Sequence, residues 1–205
     1  MVQKLSFVIL TIFLLSACGG QKSVVKKYYM IEEPDASAEV DRDTTSAIKA
    51  WCEVNEVEVY PAYDTRRIVF RDDSHQIRYF GDHEWAVRPP AVLTPMIINH
   101  LSQNKIFTRV SDRFWERSPN YRVNTTIFKI EVGHGERKRD FDAHLKLRFE
   151  LLETQTDTIV VAHTANRETV LEKRDLNLLA ASISQMFHEE LNEFATRVKD
   201  VLSEK

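Results

Sequence analysis

The Cys18 thiol, placed directly after Leu15-Ser16-Ala17, is the first group in this chain whose setting could do chemistry. The run from Leu5 to Leu15 is apolar and follows a cation, Lys4. A cationic head, an apolar stretch of about 7–15 residues and a small-residue cleavage site form a secretory signal. A cleavage site that ends in cysteine is the pattern of a bacterial lipobox. Small side chains at Ser16 and Ala17 let the chain lie extended in a protease groove. Cys18 then takes a thioether-linked diacylglycerol, and the amino group freed by cleavage is acylated. Stable anchoring takes more than one chain, each buried methylene contributing about 0.8 kcal/mol. The apolar run is shorter than the roughly 20 residues of a membrane span. The expected organisation is a signal peptide over 1–17, a lipidated tether over 18–27 and one domain over 28–205. Gly19 stands where an aspartate would mark retention at the inner membrane. The enterobacterial sorting rule then gives the outer membrane, periplasmic face, as the expected location.

Other reactive groups converge less clearly. Cys52 is the second of two cysteines, so with Cys18 acylated no intramolecular disulfide is available. It precedes a strand-like run and is expected to be a small buried hydrophobe. Seven histidines (75, 83, 100, 134, 144, 163 and 188) are scattered, with no pair at i, i+4 on a helix. His134-Gly135-Glu136 and His188-Glu189-Glu190 set imidazole beside carboxylate, yet both are expected on solvated surface, because a site needs convergent ligands. The chain carries neither a Gly-x-Ser-x-Gly elbow nor a phosphate loop. Its five glycines form no cradle. No catalytic residue, metal ligand or cofactor is expected beyond the lipid on Cys18, and the protein is expected not to be an enzyme. Arg137-Lys138-Arg139 lies between Glu136 and Asp140 and is expected to be a charged turn rather than a lipid contact.

The elements that must position these groups follow from composition and pattern. The 205 residues leave about 188 after cleavage, enough for one domain with a proper core. A hydrophobic content of 43% and a charged content of 29% fit a globular chain. The net charge of −3 argues against nucleic acid as a partner. Strands are expected over Val24–Ile31, Glu53–Tyr60, Arg67–Arg71, Gln76–Phe80 and Phe107–Val110. A loop is expected over Glu32–Lys49. A helix opens near Pro89-Pro90, with its true start at Leu93 or Thr94 because of Pro95. Tyr121–Val132, Ala143–Leu151 and Thr158–Val170 predict a three-strand meander. In its middle strand Ala143, Leu145, Leu147, Phe149 and Leu151 alternate with His144, Lys146, Arg148 and Glu150, so the sheet has one dry and one wet face. Asp175 caps a long closing helix whose apolar residues recur every three or four positions. The expected class is α+β: a two-layer α/β sandwich, a mostly antiparallel sheet packed by two helices.

Tyr28-Tyr29-Met30-Ile31, then Tyr63-Asp64, Val69-Phe70-Arg71, Tyr79, Trp85 and an amphipathic helix ending in Leu101, follow the lipobox in that order. The ordered set resembles the ABC-type transport auxiliary lipoprotein family, which includes paraquat-inducible protein C. The resemblance implies an auxiliary subunit without enzymatic activity. Its implied partners are a periplasmic MCE-domain protein and an ABC permease that move phospholipid or other hydrophobic cargo between membranes. It also admits a ring-shaped homo-oligomer. Tyr63, Arg71, Tyr79 and an exposed-looking Trp85 are the candidate partner-contact residues, since Tyr, Trp and Arg dominate interface hot spots; the alternative is that Trp85 and Tyr79 wedge the hairpin against the helix. The rival reading is a lipoprotein that assembles or plugs an outer-membrane β-barrel or a lipopolysaccharide translocon.

Overall fold

The computed structural model describes residues 25–34, 47–134 and 140–203. The signal peptide, Cys18, the first part of the tether, most of the Glu32–Lys49 loop and the Arg137-Lys138-Arg139 tip lie outside the described residues. Among the described residues, nine strands form one sheet: β1 (Lys27–Tyr29), β2 (Ile48–Val54), β3 (Glu58–Val59), β4 (Arg67–Arg71), β5 (Ile77–Trp85), β6 (Phe107–Ser111), β7 (Tyr121–His134), β8 (Phe141–Glu153) and β9 (Thr158–Leu171). Helix α1 (Pro89–Gln103) follows β5, and α2 (Leu176–Ser203) closes the chain. Both helices pack against the sheet. The fold is α+β, as the pattern predicts. No helix among the described residues is long and apolar enough to cross a membrane.

The meander β7–β8–β9 is antiparallel throughout, and so is the hairpin β4–β5. The short strands of the first half join differently. β8 occupies one edge of β7 along its length, so β2, β3 and β4 share the other edge, each parallel to β7. Beyond them the order runs β1–β5–β4–β7–β2–β6. One long strand therefore carries two branches of the sheet.

The expected strand over Glu53–Tyr60 is broken in two, and its first part begins earlier, at Ile48. Val54 and Val57 are both buried, but they are three residues apart and cannot share a face of one continuous strand. The chain resolves the conflict by leaving the ladder at Asn55, and the Val57 N–H donates to Thr94 Oγ1 at 3.0 Å instead. Cys52 is fully buried, as expected of a small hydrophobe.

Helix α1 begins at Pro89, four residues before the expected start. Prolines at the first helical positions need no donor. Pro95 lies inside the helix, but on its exposed side. Leu93, Met96, Ile97 and Leu101 form the buried stripe.

β7 contains a register shift between Ile127 and Lys129 against β8. Before it, Val123, Thr125 and Ile127 are buried; after it, Ile130 and Val132 are. The bulge thus exchanges the faces of the strand. In an unbroken period of two, Glu131 would point into the helix-packed core with Ile127. It faces the other way, beside His144 of β8.

Candidate functional site

Three strands and one turn bring polar side chains together on the sheet face opposite the helices. β7 supplies Glu131, β4 supplies Arg71 and β8 supplies His144. Tyr63 arrives from the turn after β3, where its N–H donates to the Tyr60 carbonyl at 2.8 Å. Glu131 is 1% exposed, and an ionised carboxylate at that depth requires partners. Arg71 provides them in a forked arrangement, with Nε to Oε1 and Nη2 to Oε2, both at 2.8 Å. The Tyr63 hydroxyl donates to Oε2 at 2.6 Å and accepts from Arg71 Nη2 at 2.8 Å. Burial pushes the Glu131 carboxyl up, but the hydrogen bonds from Arg71 and Tyr63 outweigh it and hold the group below its ordinary value. Burial, with the Glu131 hydrogen bond and charge, pushes the Tyr63 phenol up to about 12.

Outside this triad lies an open groove of about 450 Å³, lined among others by Lys129, Asp72, His134, His144 and Glu168. His144 Nδ1 is 3.7 Å from Glu131 Oε1, and its Nε2 is 2.8 Å from Asn166 Oδ1. His134 Nε2 is 3.4 Å from Asp72 Oδ1. The triad itself has little capacity for proton transfer. Both oxygens of Glu131 already accept charge-assisted bonds, and the Ser74 hydroxyl at the groove lies 2.9 Å from His75 Nδ1, not on Glu131. Its evident work is to join β4 and the Tyr63 turn to β7.

The four residues expected to form one exposed contact surface do not do so. Trp85 is 3% exposed and Tyr63 5%, so both belong to the core. Trp85 ends β5 opposite Tyr29 of β1, and its backbone, not its ring, meets Arg66. Arg71 is committed to Glu131. Tyr79 alone of the four stays open, with Arg67 over its ring at 5.3 Å and its hydroxyl donating to the Ala62 carbonyl at 3.2 Å. Cys18 lies outside the described residues.

The His188-Glu189-Glu190 stretch departs from the solvated surface expected of it. Glu190 is 4% exposed and accepts from Arg167 while meeting His163 Nε2 at 2.7 Å. His188 packs edge-to-face on His100 of α1, with ring centroids 5.4 Å apart. His163, Glu190 and Glu193 have ligand-type atoms within 4.8 Å of one another. Arg167 and Arg197 already sit on the two carboxylates, so a metal ion would have to displace both guanidiniums. The cluster is an ion-paired seam between β9 and α2. The sequence signal for it was an acidic residue in phase with the apolar stripe: Glu190 is three residues from Phe187 and four from Phe194.

No curated protein matches the sequence. Among solved structures, a protein from Xanthomonas campestris superposes with a TM-score of 0.70 at 14% identity, covering 87% of this chain and 98% of that one. A second, an uncharacterised protein, gives 0.65 at 14% identity over 85% and 99% of the two chains. At such identities the likeness is one of fold. The family model for the ABC-type transport auxiliary lipoprotein component matches residues 29–195, from β1 into the last turns of α2. That span takes in the triad, its groove and the sheet from the last residue of β1 onward, and the chain belongs to this family of auxiliary lipoproteins.

Proposed function

We propose that this chain is a lipid-anchored subunit, without enzymatic activity, of an intermembrane lipid transport system. Cys18 carries the acyl chains and holds the domain at the periplasmic face of the outer membrane. The folded domain docks on an MCE-domain protein that is served by an ABC permease. The observation that carries this reading is the family match over residues 29–195, directly downstream of the Leu15-Ser16-Ala17-Cys18 motif. Two features support it. The best-formed polar cluster spends its Glu131 carboxylate on joining β4 and the Tyr63 turn to β7. The apolar side chains fill one continuous core between sheet and helices, as in a docking module rather than a lipid carrier.

The test is a crosslinked pull-down of tagged, natively lipidated protein from whole membranes, read by mass spectrometry. Cys18→Ala serves as the anchoring control. Recovery of an MCE-domain protein with its permease is the expected result. Recovery of a β-barrel in their place would overturn the reading in favour of an assembly factor.

A further inference from the structure

Trp115 is 83% exposed, more than any other large apolar side chain among the described residues. It sits in the connection from β6 to β7, and this connection is not loose. Phe114 packs on Trp51 with ring centroids 5.0 Å apart. Arg109 and Arg117 each lie 4.3 Å from the Trp51 ring centroid. Asn120 closes the loop: its Oδ1 accepts the Trp51 N–H at 2.9 Å and Arg117 at 3.1 Å, and its own N–H donates to the Trp51 carbonyl at 2.9 Å. With Phe114 fixed inward, the next side chain is held out into water. Its one ring contact is Arg113, at 5.1 Å.

The Trp115 ring forms one wall of an open groove of about 830 Å³ whose other wall is the first turns of α1. Pro90 and Pro95 give that wall an apolar surface. Proline at 95 has no N–H, so the carbonyl of Ala91, which also lines the groove, lacks its usual donor four residues on. Glu53, Glu56, Asp112 and one cation, Arg113, also line the groove; Glu53 pairs with Arg122, and neither Glu56 nor Asp112 forms an ion pair among the described residues. An exposed tryptophan, a backbone carbonyl without its usual helical donor and an excess of carboxylates over the one arginine call for a donor-rich, positively charged ligand with some apolar surface.

We infer that this groove is the docking surface for an extended, basic segment of a partner protein. A lysine or arginine of the segment meets Glu56 and Asp112, its backbone N–H reaches the Ala91 carbonyl, and an apolar side chain packs on Trp115. The same carboxylates disfavour an anionic lipid surface as the occupant. The inference rests on the transport-subunit reading for the identity of the partner, and it places the contact away from Tyr63, Arg71, Tyr79 and Trp85.

The test repeats the pull-down of full-length lipidated protein with Trp115→Ala, Glu56→Lys and, as a control on a distant exposed apolar residue, Val170→Ala. Loss of a hot-spot side chain predicts at least a tenfold fall in recovered MCE-domain protein for the first two and no change for the third. Thermal melting of Trp115→Ala should match wild type, because the ring is outside the core. Wild-type recovery with both variants overturns the docking surface and leaves the transport reading intact. Failure of wild type itself to recover any transport subunit overturns both. A photocrosslinking residue placed at 115 should label the partner; labelling of lipid or of a second copy of this chain alone also overturns the inference.

Discussion

Arg71 and Glu131 are sixty residues apart in sequence and depend on each other in the fold. Removing one partner of a buried ion pair leaves the other without compensation, at a cost of about 3–5 kcal/mol. Arg71 is one-quarter exposed, which moves the expected cost toward the lower end. Glu131→Gln should therefore lower unfolding free energy by about 3 kcal/mol at neutral pH, read from a urea titration. The sign of its pH dependence follows from the depressed carboxyl. The stabilisation is fully present above the ordinary carboxylate value of about 4.3 and is lost as pH falls through the lower folded-state value. Wild type should lose stability more steeply than Glu131→Gln in that acidic window, and parallel curves would refute the assignment. Trp85→Ala and Tyr79→Ala separate core from surface. The first should cost about 3–5 kcal/mol, the second less than about 1 kcal/mol.

At the scale of elements, α1 and α2 meet through His100 and His188. His100 is 7% exposed, and burial, helped by the nearby His188 and Lys199 charges, lowers its pKa to about 4. As pH falls below about 6.5 the unfolded chain takes up a proton that the folded chain refuses until about pH 4. The His100 contribution should accordingly cost up to about 3 kcal/mol across that window and level off below it. His100→Leu should remove most of this slope while leaving the Glu131 transition at lower pH in place. Urea midpoints at several pH values between 4 and 7 check it. The bulge in β7 matters in the same way: one extra residue at Phe128 decides which face Glu131 occupies, and hence whether β4 has a partner for Arg71.

At the scale of the whole molecule, one core spans both branches of the sheet and both helices. It contains the sole free cysteine of the described residues, Cys52, whose thiol pKa is raised by burial and then by the Glu53 charge. In the Cys18→Ala protein a thiol reagent should therefore react only on global unfolding. Labelling at the native-state rate of an exposed thiol would contradict the buried placement. The same variant should leave the membrane fraction for the soluble one with its melting temperature unchanged, because the residues from β1 to α2 make the core without the lipid.

The meander, its alternating middle strand and the long amphipathic last helix were legible in the sequence because each rests on a local period that burial of one face enforces. The β2–β3 break and the bulge at Phe128 left traces, as apolar residues that change phase, but a phase change alone does not say where a strand bends. The parallel joining of β2, β3 and β4 to β7 left no local trace. It also decided that Tyr63 and Arg71 close on Glu131, that Trp85 is interior, and that Trp115, which no motif singled out, stands in water. Exposure is a property of what the rest of the chain covers, and only the tertiary structure contains that information.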